Sequence, residues 1–113
     1  MQWKITYYNE LVEKAVLALP DSLLARYARL TEVMKEYGPN LGMPHTRAMG
    51  DGLFELRLKG KEGIARVFYY TVIRHQVLML HSFIKKQQET PLQELRLAKQ
   101  RLNEVKNNAK KDT

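Results

Sequence analysis

LFELRLKGKEGIARVFYYTVIRHQVLMLHSFIKK, residues 53–86, opens on alternating apolar and polar side chains and continues in two further apolar segments, the three separated by short polar turns. A period of two sends successive side chains to opposite faces of a strand. In the first segment Phe54, Leu56 and Leu58 share one face, and Glu55, Arg57 and Lys59 share the other. In the second, Arg66, Phe68 and Tyr70 oppose Val67, Tyr69 and Thr71; in the third, His81, Phe83 and Lys85 lie together. The connections, Gly60-Lys61-Glu62-Gly63 and Arg74-His75-Gln76, are short enough to join antiparallel neighbours. The stretch therefore reads as a three-stranded meander.

Upstream, Trp3 to Tyr7 is aromatic and β-branched, the composition of a short strand. Asn9 is placed to cap a helix carrying Leu11, Val12, Ala15, Val16 and Leu19 at helical spacing. Pro20 interrupts it, and Asp21 or Ser22 is expected to cap a second helix with the stripe Leu23, Leu24, Tyr27, Leu30, Met34 and Tyr37. Gly38-Pro39 stops that helix, and residues 38–52, dense in Gly and Pro, read as a loop. Downstream, Thr90-Pro91-Leu92-Gln93 has the form of a capping box, opening a last helix to about Asn107. The predicted order is β-α-α-β-β-β-α: an α+β domain over residues 1–107 with a short tail, 108–113, expected to fray. So small a sheet needs the helical hairpin to cover one face, which leaves the other partly open.

The 113 residues are enough for a single modest core. The absence of cysteine removes disulfide, iron–sulfur and thiolate-zinc chemistry and suits a reducing cytoplasm. No stretch approaches the roughly 18 apolar residues of a membrane span. The formal charge of +7 favours a polyanionic partner. It is unevenly spread. Residues 1–52 hold six Lys/Arg and six Asp/Glu, whereas residues 53–86 hold seven and two. The surplus sits on the meander and the last helix.

No glycine-rich phosphate loop, GxSxG or HExxH occurs, and His45, His75 and His81 are not paired at metal-ligand spacing, so neither a cofactor nor a metal is expected. Basic residues carry the chemistry instead. Arg66 inside an apolar strand must find an acidic partner, with Glu55 across the sheet available, or an open surface aimed at phosphate. Arg57, Lys59, Lys61, Lys85 and Lys86 can converge on that surface beside Phe68, Tyr69 and Tyr70. Cations hold a nucleic-acid backbone and aromatics stack on unpaired bases, so the pattern suits single-stranded RNA. Such a surface also permits metal-independent cleavage. A lysine whose pKa is lowered by neighbouring cations can take the 2′-hydroxyl proton, arginine can stabilise the phosphorane, and tyrosine can orient or donate. His81 is either a hydrogen-bonded structural residue or an acid–base participant.

The ordered series Pro44-His45, Gly50-Asp51-Gly52, Phe54-Glu55-Leu56-Arg57, Arg66-Val67-Phe68-Tyr69, Leu80-His81, Phe83-Ile84-Lys85-Lys86, Thr90-Pro91 and Ala98 to Arg101 resembles the RelE/ParE toxin superfamily. The likeness is closest to its HigB-like, phage-derived branch and spans residues 3–105. It implies a RelE-like fold with helices on one side of a small antiparallel sheet. It implies a toxin neutralised by a cognate antitoxin, usually a helix-turn-helix DNA-binding protein, and cleavage of mRNA on the ribosome. By position, Arg57 and Arg66 would be the phosphate-binding and transition-state residues. Lys85 and Lys86 would transfer protons or grip the backbone, and Tyr69 or Tyr70 would orient the substrate. The superfamily also holds DNA gyrase inhibitors that cut nothing, and a toxin-derived module that only binds its partner is a third reading.

Overall fold

A computed structural model describes residues 2–72, 74–86 and 91–111. In chain order the elements are β1 (Lys4–Tyr7), α1 (Glu10–Leu17), α2 (Asp21–Tyr37), β2 (Thr46–Gly50), β3 (Leu53–Gly60), β4 (Gly63–Val72), β5 (Gln76–Ile84) and α3 (Leu92–Lys111). The strands form one sheet in the order β1-β5-β4-β3-β2. The meander β3-β4-β5 is antiparallel as its turns require.

Two features depart from the expected sheet. β1 pairs with β5 in parallel, so the sheet is mixed rather than wholly antiparallel. Parallel partners need a long crossover, which here is most of the chain, since the helical hairpin carries it from the β1 edge to the β2 edge. Within the expected loop, Thr46–Gly50 forms an additional edge strand on β3, with a register shift between Ala48 and Gly50. Its short TRAMG sequence has little β-propensity and exposes Arg47 and Ala48, as a protected edge does.

One sheet face packs Leu56, Leu58, Ala65, Val67, Tyr69, Val77 and Met79 against Val12 and Val16 of α1 and Leu23, Tyr27, Leu30 and Met34 of α2. Each large side chain so buried contributes about 1.5–3 kcal/mol. The other face packs Leu53, Phe68 and Leu80 against Ala98 and Leu102 of α3. Helices therefore lie on both faces, not on one side as the resemblance implied. A bulge in β5 sets which residues reach α3: Phe68 pairs with His81 but Tyr69 with Met79, leaving Leu80 as the extra residue. Arg101 of α3 donates to the Leu80 carbonyl at 2.6 Å and lies over the Tyr8 ring.

Asn9 caps α1 as expected, accepting from Val12 N at 2.9 Å. α2 ends at Gly38, whose φ of 104° is open chiefly to glycine. Its start differs. Neither Asp21 nor Ser22 caps it; Pro20 holds the cap position, and Ser22 N donates to Glu62 Oε1 in the β3–β4 turn at 2.7 Å. Thr90, the expected cap of α3, lies outside the described residues; α3 itself continues to Lys111, past the expected end.

Candidate functional site

Strand register arranges the α3-side face as a grid. Arg57 pairs with Arg66, which pairs with Phe83. His45 extends the same row, because Arg57 N donates to the His45 carbonyl at 2.8 Å, one step past the Thr46–Leu56 pair. The neighbouring row toward α3 runs Arg47, Glu55, Phe68 and His81. The row away from it runs Lys59, Ile64 and Lys85, with Lys85 N donating to the Ile64 carbonyl at 2.7 Å. α3 covers the apolar end of this face around Phe68 and Leu80. The basic end opens into a cleft of about 410 Å³ lined by Arg26, Pro44, His45, Arg57, Lys59, Ile64 and Arg66.

Glu55 is the pivot of the charges. It is only 2% exposed and lies 3.4 Å from Arg66 Nε and 3.9 Å from Arg57 Nε. At these separations the attraction is Coulombic; Arg66 Nε itself has no hydrogen-bond acceptor, although its Nη1 donates to the Ala65 carbonyl at 3.2 Å. Arg66 is thus paired with Glu55 across the sheet, beneath the open cleft. Arg66 does not face outward as the open-surface reading required: at 4% exposure it forms the floor, and Arg57, with a side chain 31% exposed, forms the rim. Burial, followed by the nearness of Arg57, lowers the Arg66 guanidinium, and Glu55 opposes this. One carboxylate serves two guanidiniums, so the pair keeps surplus positive charge. Burial and the adjacent Arg66, then Arg57 and Arg47, lower the pKa of Lys85 against the opposing pull of Glu55.

The loop behind the cleft is tightly built. Buried Thr46 Oγ1 accepts from Leu41 N at 3.1 Å and Gly42 N at 2.9 Å, while His45 N donates to the Gly42 carbonyl at 3.0 Å. Met43 Sδ accepts weakly from Arg57 Nη1 at 3.8 Å.

Arg57, Lys59, Arg66 and Lys85 thus come together. The other residues expected at the site do not. Tyr69 is fully buried on the opposite face, where its hydroxyl donates to the Pro39 carbonyl at 2.5 Å. Tyr70 lies under Lys106 of α3, against Gly52, four residues along β4 from Arg66. His81 is engaged by Glu94 at the start of α3 and stacks on Phe83. Lys61 is exposed in the β3–β4 turn, and Lys86 is exposed just beyond β5. Arg26 and His45, which line the cleft, were not singled out from sequence. Arg26 sits on a helix whose relation to the sheet no local pattern encodes, and His45 precedes a strand too short to recognise. Among the described residues no group of three or more His, Asp or Glu side chains converges to hold a metal ion, and no helix is long and apolar enough to cross a membrane.

Comparison with known proteins gives this geometry a context. The family model described as phage derived protein Gp49-like (DUF891) matches residues 14–103. The chain belongs to this family. The Gp49-like chain is similar in fold to archaeal RelE, solved in the RelE–RelB complex from Pyrococcus horikoshii OT3, with a TM-score of 0.52 and 16% identity over 77% of this chain and 99% of that one. It is likewise similar to a free, doubly arginine-substituted mutant of the E. coli toxin RelE, with a TM-score of 0.52 and 13% identity over 85% and 97% of the two chains. The fold is therefore RelE-like. No curated protein matches the sequence.

Proposed function

We propose that this Gp49-like protein is the toxin of a type II toxin–antitoxin pair and cleaves mRNA on the ribosome. The observation that carries the reading is the side-by-side placement of Arg57 and Arg66 over a single buried carboxylate, at the base of an open cleft. Two guanidiniums with one counter-ion attract a phosphodiester and can hold its non-bridging oxygens as they gain charge. Lys85, in the next row and lowered by burial and its cationic neighbours, takes the proton from the attacking 2′-hydroxyl. Lys59 at the rim holds the adjoining backbone. The cleft, of about 410 Å³, is open and too small to enclose a strand, which suits a message presented by the ribosome. A solved neighbour described as a toxin, and another crystallised with RelB, support an antitoxin as the partner. The superfamily resemblance points to a helix-turn-helix protein in that role.

Expression of the chain without its partner is expected to stop growth and translation and to create new message ends by primer extension. Arg57→Ala is expected to slow cleavage on programmed ribosomes about 10²-fold or more while leaving the melting temperature within a few degrees, since its side chain is partly exposed. Absence of new ends, or growth arrest with a DNA-damage response and intact messages, would replace cleavage by inhibition of gyrase.

A further inference from the structure

We propose that His45 donates the proton to the departing 5′-oxygen, standing across the guanidinium pair from Lys85. The inference rests on the RNA-cleavage reading above and assigns a further catalytic residue within the same cleft.

The grid supplies the geometry. His45 is directly opposite Arg57, and Arg57 directly opposite Arg66, so imidazole and guanidiniums lie along one line across β2, β3 and β4. Lys85 lies on the far side of β4, just past the end of β5 and opposite Ile64, one row farther from α3 than Arg66. Adjacent strands are about 4.8 Å apart and Lys85 is offset by about 7 Å along the strands, which puts the backbones of His45 and Lys85 roughly 16 Å from one another. His45 lines the cleft together with Arg57 and Arg66, and Lys85 stands on its β5 side. Displacement at phosphorus requires the attacking and departing oxygens on opposite sides, so a base and an acid must flank the phosphate from opposite directions. Lys85 and His45 do so.

Proton chemistry selects His45 over the other lining residues. Guanidinium side chains such as Arg26, Arg57 and Arg66 keep their protons, whereas an imidazole gives and regains one near neutral pH. Its support is also that of a placed group. The Gly42 carbonyl holds the His45 N–H, Thr46 is buried and anchors the loop through two backbone amides, and the His45 carbonyl is tied to Arg57. The His45 backbone is thus tied to the residue that would hold the phosphate.

The step balances as follows. The 2′-oxygen attacks phosphorus and its proton passes to the neutral Lys85 amine. The O2′–P bond forms as the P–O5′ bond breaks. The electron pair left on the 5′-oxygen takes the proton of the His45 imidazolium, giving a 2′,3′-cyclic phosphate and a 5′-hydroxyl end. Water then returns a proton to His45 and accepts one from Lys85.

The test uses ribosomes programmed with a synthetic message whose scissile 5′-oxygen is replaced by sulfur, because a thiolate leaves without being protonated. On the oxygen message, His45→Ala and His45→Gln are expected to cleave about 10²-fold or more slowly than the unaltered protein. On the sulfur message, both are expected to come within a few-fold of it, while Lys85→Ala stays slow on both. Melting temperatures monitor folding, and the tie to Arg57 survives either substitution because it uses the His45 backbone. Full activity of His45→Ala on the oxygen message, or an equal loss on both messages, overturns the assignment while leaving the cleavage reading intact. An unaltered protein that cuts neither message overturns both.

Discussion

Glu55 shows how one side chain couples stability to function. Arg57 and Arg66 are cross-strand partners, and their mutual repulsion is offset by the carboxylate between them. Replacing Glu55 with Gln is expected to lower unfolding free energy by about 3 kcal/mol, because a buried guanidinium is left without its counter-charge. Urea denaturation measures this, and a change below about 1 kcal/mol would mean that the pair needs no such partner. Lys85 lends itself to a pH test. Folding lowers its pKa below the ordinary 10.5, so the folded protein binds fewer protons than the unfolded chain between the two values. Stability attributable to Lys85 therefore rises with pH across that window. If the neutral amine is the base, the logarithm of the cleavage rate on the sulfur message, whose leaving group needs no proton, should climb with pH up to the depressed value. Lys85→Arg should remove the climb, since arginine does not release its proton. The face on which Arg57, Arg66 and Lys85 lie was legible from period-two alternation. Their depth was not, because alternation is indifferent to what covers a face, and Arg66 proved to be floor rather than rim.

The contact between α2 and the β3–β4 turn illustrates what separates an element from its sequence pattern. Ser22 N donates to Glu62 Oε1 at 2.7 Å, and Glu62 N donates to Ser22 Oγ at 3.2 Å. This reciprocal pair satisfies a helix-terminal amide with a residue forty positions away, which is why the expected local cap is absent. Gly60 fits beneath it, and a Cβ there would sit 2.6 Å from Ser22 Oγ and 2.9 Å from Ser22 Cβ. Gly60→Ala is expected to push α2 from the turn and cost about 1–3 kcal/mol, read as a lower denaturation midpoint. Because Arg26 follows on the same helix and lines the cleft, cleavage should fall as well. The strands of the meander were readable because the first alternates apolar and polar residues and the other two are apolar, β-branched and aromatic runs bounded by short turns. β2 was not, since an edge strand pairs on one side, exposes polar residues and needs no such pattern.

The whole molecule divides one sheet face between a buried apolar end and an open basic cleft. α3 seals the Phe68–Leu80 end, and the cationic grid stays open at the other. An acidic antitoxin segment laid over that grid should dissociate more readily in salt, its Kd rising about tenfold or more between 50 and 500 mM. Titration by calorimetry measures this; a constant Kd would locate the partner on an apolar surface such as exposed Leu11 and Leu17 of α1. Composition and periodicity were sufficient for the α+β class, the helical hairpin, the meander and the concentration of positive charge after residue 52, because these follow from local spacing and from counting. The parallel placement of β1, the edge strand, the burial of Tyr69 and the meeting of Arg26 and His45 with the strand arginines required the folded chain. Each depends on which distant segments become neighbours, a choice made by the joint packing of two helical layers on one sheet and carried by no single stretch of residues.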